Sequence, residues 1–296
     1  MKISGVWLPL ITPFLNGEID FQSYAALIDH YISRGISGLI PLGTTGEAPV
    51  ITELEFEKII DRTMEINNQR VPVYVGVGGN FTDKVIKTLK VVEKYTVEGI
   101  LSVCPYYTRP DQNGLYEHFI KISESTDRNI IIYNIPYRTG VNLQNDTLMK
   151  LAQKENIIGI KDSCGDIGQT LALLSQKPKH FSVLTGEDIL FYTNLVNGGE
   201  GGILAASHLH TEIFLDVFQK VSANDHQSAF QHWQEIQMMI PMLFKEPNPG
   251  PIKYCLNRLD LIQSSETRLP LAGISDDLKT KLDQSFLHKI KKGEGV

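Results

Sequence analysis

The sequence is poor in cysteine and has no block of like charges. Its three cysteines, Cys104, Cys164 and Cys255, are far apart and form neither a CxxC pair nor a disulfide framework, which is typical of a protein from a reducing cytosol. The 34 acidic and 28 basic residues give a formal charge of -6 without a basic cluster. This balance does not favour a nucleic-acid or anionic-membrane surface.

Long apolar runs are also absent. No run reaches the roughly 18 apolar residues of a membrane-spanning helix. Near the amino end, Pro9 and Pro13 interrupt the apolar residues before the core of a signal peptide is complete. Short repeats and low-complexity segments are missing as well. We therefore expect a globular, cytoplasmic protein.

The familiar cofactor signatures are missing too. Gly43–Glu47 lacks the ending of a phosphate-binding loop, and Phe81 stands where the glycine cluster Gly76–Gly79 would need its last glycine to bind a dinucleotide. No HExxH spacing or GxSxG elbow occurs, and the nearest histidine pair, His208 and His210, is interpreted as packed or surface histidines rather than metal ligands. We expect chemistry by side chains alone, without a metal or a nucleotide cofactor.

Eight short apolar segments recur at the spacing of strand–helix units, roughly 20 to 34 residues apart. They predict strands at Gly5–Pro9, Gly38–Leu42, Val71–Gly76, Gly99–Val103, Asn129–Asn134, Ile157–Lys161, Phe181–Leu184 and Gly202–Ala205. The segments are almost continuously apolar, which is typical of strands covered on both faces. Helical periodicity marks Phe21–Arg34, Glu53–Asn67 and Lys84–Tyr95, and Thr52 with Glu55 predicts a capping box.

Eight alternating units favour an α/β fold of the (β/α)₈ TIM-barrel class over a doubly wound sheet. The barrel is predicted to span residues 1–206. Residues 207–296 are predicted to form a helical appendage packed on the barrel, because no flexible linker separates the two parts. Its helices are predicted at Leu209–Ala223, His226–Phe244, Gly250–Leu259 and Asp276–Ile290.

Barrel enzymes carry their active sites at the carboxyl ends of the strands, and Lys161 ends one of these strands. Its ammonium should lie in an apolar environment, which lowers the pKa of an amine. A neutral amine can attack a ketone and form a Schiff base. From its position alone, Lys161 could equally form an ordinary ion pair with Asp188 or Glu187 instead of a Schiff base.

Other polar residues follow neighbouring strands. Tyr133 closes the strand before that of Lys161 and could relay protons, with the Thr44 hydroxyl as a partner. Arg138 follows Pro136, and its planar fork suits a carboxylate. Taken singly, these residues are more often a packed tyrosine, a loop threonine and a solvated arginine. Together at one end of a barrel they indicate an active site.

The ordered motifs GVWLPLITPF, GTTGE, PYYTRP, YNIPYRTG, GIKDSCGD and FKEPNPGPIKY span essentially the whole chain. With them the chain resembles the dihydrodipicolinate synthase/N-acetylneuraminate lyase family of class I, Schiff-base aldolases. YNIPYRTG and the EPNP segment bring it closest to the synthase branch. The resemblance implies that Lys161 forms an imine with pyruvate. It also implies that Thr44, Tyr133 and Tyr107 form a proton relay, with Tyr107 reaching into the neighbouring subunit's site.

The resemblance further implies the substrate contacts. Arg138 would hold the carboxylate of L-aspartate 4-semialdehyde, and Thr45 would bind that of pyruvate. Gly186 and Ile203 would line the pocket. The product would be 4-hydroxy-tetrahydrodipicolinate, in the first committed step of diaminopimelate and lysine biosynthesis. The implied assembly is a homotetramer built as a dimer of dimers.

Two other functions stay open. A sialic acid lyase or a 2-keto-3-deoxy sugar acid aldolase of the same family would need groups for a polyol chain, whereas Arg138 suits a small carboxylated aldehyde. A non-catalytic barrel that only binds pyruvate would need neither the amine nor the relay, yet the sequence has both.

Feedback by L-lysine is where the sequence departs from the family pattern. In inhibited members, the ligand binds a dimer-interface cleft whose residues match Ala48, Pro49, Glu53, Phe56, Asn80, Lys84 and Tyr106. Inhibited members typically have a glutamate where this chain has Lys84, so the attraction of that glutamate for a charged group of L-lysine becomes a repulsion. They typically have a histidine where this chain has Phe56, so a hydrogen-bonding ring is lost. Glu53 could supply another carboxylate. If Lys84 and Glu53 are instead ordinary charges on a helix surface, L-lysine would also bind weakly. In either case we expect weak or absent feedback inhibition.

Overall fold

The computed structural model describes residues 3–284 and contains ten strands. They are β1 (Gly5–Leu8), β2 (Phe14–Leu15), β3 (Glu18–Ile19), β4 (Gly38–Leu39), β5 (Tyr74–Gly76), β6 (Gly99–Val103), β7 (Asn129–Asn134), β8 (Ile157–Asp162), β9 (Ser182–Thr185) and β10 (Gly201–Ile203). Eight lie in one sheet in the order β4-β1-β10-β9-β8-β7-β6-β5, while β2 and β3 form a separate antiparallel hairpin. Eight such strands alternating with helices confirm the predicted (β/α)₈ class.

Thirteen helices lie within the described residues. They are α1 (Phe21–Ser33), α2 (Glu53–Asn67), α3 (Thr82–Val92), α4 (Gln112–Ser123), α5 (Pro136–Thr139), α6 (Asn145–Leu151), α7 (Ile167–Gln176), α8 (Phe191–Val196), α9 (Thr211–Ser222), α10 (His226–Ile236), α11 (Ile240–Leu243), α12 (Gly250–Arg258) and α13 (Asp276–Leu282). Short 3-10 turns occur at Ala48–Val50, Asp188–Leu190 and Ala206–His208. None of the helices in this part of the chain is long and apolar enough to cross a membrane.

The described chain divides into two compact units. The first comprises residues 3–5 and 72–203, and the second comprises residues 6–71 and 204–284. The first unit contains the parallel pairs from β5 to β10. Its central strands β7 and β8 are buried along almost their whole length, because apolar residues follow one another where a parallel strand is covered on both faces.

The second unit contains β4, most of β1, the β2–β3 hairpin and the helices α1, α2 and α9 to α13. Trp7 and Leu8 of β1 pair in parallel with Gly38 and Leu39 of β4. The indole ring of Trp7 packs so closely against Gly38 that a Cβ at this position would lie 2.1 Å from the ring, so only glycine fits there.

Capping side chains explain where six of the helices begin. The capping box of α2 is confirmed: the Thr52 hydroxyl accepts from the Glu55 N–H, and the Glu55 carboxylate accepts from the Thr52 N–H. Aspartate caps α1, α4, α7 and α10, and Ser275 caps α13. Such side chains satisfy the N–H groups that the first helical turn leaves without a partner.

The predicted helix His226–Phe244 is wrong as one element. The structure has α10 up to Ile236 and α11 from Ile240, separated by a turn. Pro241 lies in the first turn of α11, where its missing N–H costs nothing, but it could not continue a helix from α10. The β2–β3 hairpin was not predicted. The predicted helix Asp276–Ile290 ends at Leu282, and its last part, residues 285–290, lies outside the described residues.

Candidate active site

Lys161 lies at the carboxyl end of β8, in the first unit. The register pairs it with Tyr133 of β7 on one side and with Leu184 of β9 on the other. Tyr133 and Lys161 are therefore strand-end neighbours, as their places in the sequence predict. The Nζ atom of Lys161 lies 4.3 Å from the centroid of the Tyr133 ring, whose face attracts a cation.

The surroundings of Lys161 make its amine unusually easy to deprotonate. The residue is 6% exposed, and burial lowers the pKa of Lys161 to about 8. The carboxylates of Asp188 and Glu187 oppose this change, and the Arg138 guanidinium adds to it.

Because Gly186 has no side chain, the side chain of Lys161 can pack closely against its backbone. A Cβ on Gly186 would lie 2.5 Å from the Cε atom of Lys161 and 2.3 Å from the hydroxyl oxygen of Ser163. The Gly186 N–H donates to the Asp162 carbonyl at 2.7 Å, which fixes this close approach. Glu187 follows, and burial raises the pKa of its carboxyl.

Tyr107 lies in the loop after β6, and a backbone hydrogen bond joins this loop to the short helix α5 that carries Arg138. The Tyr107 N–H donates to the Thr139 carbonyl at 3.2 Å, and the Tyr107 backbone is left-handed, with φ of 71°. Tyr107 is 88% exposed. Arg138 lies on the one-turn helix α5 and is exposed, and its Nε donates to the Tyr137 hydroxyl at 3.1 Å. The substrate candidate Ile203 ends β10 and is fully buried.

Thr44 and Thr45 belong to the second unit, in the turn after β4. Thr44 is half-buried and Thr45 is buried. The side-chain amide of Asn248 donates to the Thr45 hydroxyl at 3.0 Å. Since that hydroxyl accepts from the amide, its own hydrogen can point toward a ligand. Sequence reasoning used the EPNP segment only as a family motif and missed this role of Asn248.

A buried ion pair holds the same turn. Glu47 has a left-handed backbone, with φ of 55°, and its carboxylate pairs with the ammonium of Lys253 on α12. Glu47 also accepts from the Arg268 N–H at 3.1 Å, and Lys253 donates to the Glu266 carbonyl at 2.9 Å. Burial lowers the pKa of Lys253 to about 8, while Glu47 opposes the change. The available signal was a lysine within the apolar run of GPIKYCL, the same pattern that marked Lys161.

Comparison with known proteins identifies the family. The sequence profile of the Dihydrodipicolinate synthetase family matches residues 2–289, which is almost the entire chain. The chain belongs to this family.

Individual members of the dihydrodipicolinate synthetase family are similar over nearly their full length. The 4-hydroxy-tetrahydrodipicolinate synthase 2 of Clostridium acetobutylicum is 53% identical over 96% of this chain and 99% of its own. The 4-hydroxy-tetrahydrodipicolinate synthase of Thermotoga petrophila is 38% identical over 92% and 94%. Among solved structures, the dihydrodipicolinate synthase from Aquifex aeolicus matches 99% of both chains with a TM-score of 0.94 and 32% identity.

This member of the dihydrodipicolinate synthetase family has its candidate effector residues on two separate parts of the chain. In the second unit, Ala48 and Pro49 form a 3-10 turn, and Glu53 and Phe56 lie in the first turn of α2. The first unit supplies the exposed residues Asn80, Lys84 and Tyr106.

The histidines of this family member do not form a metal centre within the described residues, where no group of three or more potential ligands is found. His208 is a packed histidine, as its sequence context predicts. Its Nε2 accepts from the Ile11 N–H at 3.3 Å, and its Nδ1 lies 2.8 Å from the Ala205 carbonyl. Both ring nitrogens are thus occupied by backbone partners.

Proposed function

We propose that the chain is a 4-hydroxy-tetrahydrodipicolinate synthase, a carbon–oxygen lyase. It would condense pyruvate with L-aspartate 4-semialdehyde through an imine on Lys161. The observation that carries this proposal is the buried, weakly basic amine of Lys161 at a strand end of a dihydrodipicolinate synthetase family member. The 53% identity to the Clostridium acetobutylicum enzyme supports the same reaction.

The first step requires a neutral amine. With a pKa of about 8, roughly a tenth of Lys161 is neutral at pH 7, against well under a thousandth of an ordinary lysine. The Nζ lone pair attacks the ketone carbon of pyruvate, and water leaves to give the imine. The adjacent methyl carbon then loses a proton, and the electrons of that C–H bond convert the imine into an enamine. The resulting enamine attacks the aldehyde of the second substrate. The amino group of that substrate then displaces Lys161 as the ring closes.

Proton transfer is assigned to Tyr133, Thr44 and Tyr107. The ring of Tyr133 already lies against the amine. Tyr107 is assigned to the neighbouring subunit's site, and its exposure of 88% supports this assignment because the side chain is accessible to another chain. The assembly proposed with this role is a homotetramer, organised as a dimer of dimers.

Substrate binding is assigned to four residues. Arg138 would hold the semialdehyde carboxylate with its planar guanidinium, and Thr45 would donate its hydroxyl hydrogen to the pyruvate carboxylate. Gly186 and Ile203 would shape the pocket around the imine. The contact from Asn248 supports the orientation proposed for Thr45.

Three further assignments belong to the proposal. We assign the barrel to residues 1–206 and a packed helical extension to residues 207–296, and we place the enzyme in the cytoplasm. We also propose weak or absent feedback by L-lysine. The lysine at position 84 supports this, because a cationic side chain repels the ammonium groups of that ligand.

A coupled assay tests the proposed reaction. Purified protein is given pyruvate with L-aspartate 4-semialdehyde, and product is consumed by the reductase that follows in the assay. N-acetylneuraminate and 2-keto-3-deoxy sugar acids are tested in parallel for pyruvate release. Turnover with the semialdehyde alone is expected. Faster cleavage of a sugar acid would assign the sugar-lyase function instead, and no turnover with either would favour a binding scaffold.

A further inference from the structure

Ser163 lies on the same side of the chain as Lys161, one residue beyond the end of β8. The Ser163 N–H donates to the Asn134 carbonyl at 2.8 Å, so the β8–β7 ladder continues to this residue. In an extended strand, residues two apart point to the same face. The intervening residue Asp162 points the other way, and its carboxylate accepts from the Thr170 hydroxyl of α7 at 2.6 Å.

The side chains of Lys161 and Ser163 converge over Gly186. The Cε atom of Lys161 and the hydroxyl oxygen of Ser163 both lie within 2.5 Å of the same point, the position that a Cβ on Gly186 would take. The amine follows Cε directly along the lysine side chain. A small rotation about the last side-chain bond is therefore enough to change its distance from the serine hydroxyl.

The hydroxyl of Ser163 has no hydrogen-bond partner within residues 3–284, although the residue is only 1% exposed. Buried hydroxyls are normally paired, so an unpaired one next to a reactive amine requires an explanation. Ser163 also faces the Glu187 carboxylate and lowers its pKa, without reaching the geometry of a hydrogen bond. Two groups that could use the hydroxyl thus lie beside it.

We propose that Ser163 is a positioning residue for Lys161. Its oxygen accepts a hydrogen bond from Nζ, while its hydrogen points toward the Glu187 carboxylate. A hydroxyl has one donor and two acceptor lone pairs, so it can serve both neighbours together. This inference rests on the proposed function, because it assigns Ser163 to the amine that forms the imine.

The hydrogen bond acts before and after the covalent step. In the free enzyme it uses one N–H of the neutral amine and directs the lone pair toward the ketone carbon. Attack forms the C–N bond, the ketone oxygen takes up protons and leaves as water, and the C=N bond replaces it. The iminium nitrogen then retains a single N–H, for which Ser163 remains an acceptor. Ser163 itself gains and loses no proton.

The test follows imine formation with pyruvate alone. Enzyme and pyruvate are mixed, the imine is reduced with cyanoborohydride after set times, and mass spectrometry measures the adduct. Ser163→Ala should lower the rate at saturating pyruvate by about three- to tenfold, as for one lost hydrogen bond. The half-saturating pyruvate concentration should stay unchanged. Ser163→Cys, whose sulfur is a weak acceptor, should lower the rate as well.

Ser182→Ala is the matched control. Ser182 of β9 is also a buried serine with an unpaired hydroxyl in the described chain, and its register partner is Gly159 rather than Lys161. Ser182→Ala should form the adduct at the rate of the wild type. The inference is overturned if Ser163→Ala and Ser163→Cys form the adduct at the wild-type rate, or if Ser182→Ala slows it equally. A wild-type protein that forms no adduct would instead overturn the proposed function.

Discussion

The reactivity proposed for Lys161 depends on how poorly its ammonium group is solvated. Burial favours the neutral amine, and the two carboxylates of Glu187 and Asp188 retain part of the charged form. Together these effects give Lys161 a pKa of about 8, which is close to neutral pH. Such a pKa suits an amine that is proposed to be a cation at one step and a nucleophile at another.

The first prediction concerns the pH dependence of imine formation. Because only neutral Lys161 attacks, the rate of adduct formation at saturating pyruvate should rise about tenfold between pH 7 and pH 9 and then level off, following the pKa of about 8. Quenched-flow trapping measures this profile. A rate that keeps rising through pH 10 would show an ordinary lysine and contradict the burial argument.

The second prediction concerns the buried pair of Glu47 and Lys253. Lys253→Met leaves the Glu47 carboxylate buried without its partner, so the free energy of unfolding should fall by about 3–5 kcal/mol. Urea denaturation measures it. Lys279→Met removes a lysine from an exposed pair with Asp276 and should leave the midpoint almost unchanged. Equal effects of the two substitutions would refute this account of the buried pair.

At the scale of elements, the ends of β8 and β9 determine the geometry around the amine. Gly186 continues from β9, and its N–H is bonded to the last residue of β8. The absence of a side chain at this position lets Lys161 and Ser163 pack against the backbone. A methyl group there would lie too close to the side chains of Lys161 and Ser163, so these side chains would have to move.

Gly186→Ala should therefore lower kcat by about a hundredfold, because even a small displacement of a reacting group is costly. Circular dichroism and the unfolding midpoint report whether the fold is retained. Gly273→Ala is the matched control, since a Cβ there meets no atom within 4 Å, and it should keep full activity. Full activity in Gly186→Ala would contradict the close packing described at this point.

The elements that the sequence predicts best are those with strong local signals. The strands Gly99–Val103 and Asn129–Asn134 and the helix Glu53–Asn67 have the predicted bounds, because continuous apolar runs and a capping box mark them locally. The same signals placed Lys161 and Tyr133 at neighbouring strand ends. The contacts of Glu47 with Lys253 and of Thr45 with Asn248 could not be predicted. Their partners are more than 200 residues apart, and no local pattern links them.

At the scale of the whole molecule, the proposed weak feedback rests on residues that are distant in the sequence. A cationic residue at position 84 and an apolar ring at position 56 stand where inhibited members are expected to have groups that bind L-lysine. Two other residues of the proposed cleft, Asn80 and Tyr106, are expected to follow the family pattern. Feedback and catalysis should therefore be separable in this chain.

L-lysine should accordingly inhibit the coupled reaction weakly or not at all. Titration of L-lysine into the assay measures this. The double variant Lys84→Glu with Phe56→His restores the expected charge and ring, and it should become more sensitive because repulsion is replaced by attraction. Strong inhibition of the wild type at submillimolar L-lysine would contradict the assignment.

The central claim is that Lys161 carries the covalent intermediate, and peptide mapping after reduction tests it most directly. The protein is incubated with pyruvate and borohydride, digested, and sequenced by tandem mass spectrometry. The account predicts one reduced three-carbon adduct, located on Lys161 and absent from Lys161→Ala. An adduct on another lysine, or none on an enzyme that is active in the coupled assay, would contradict it.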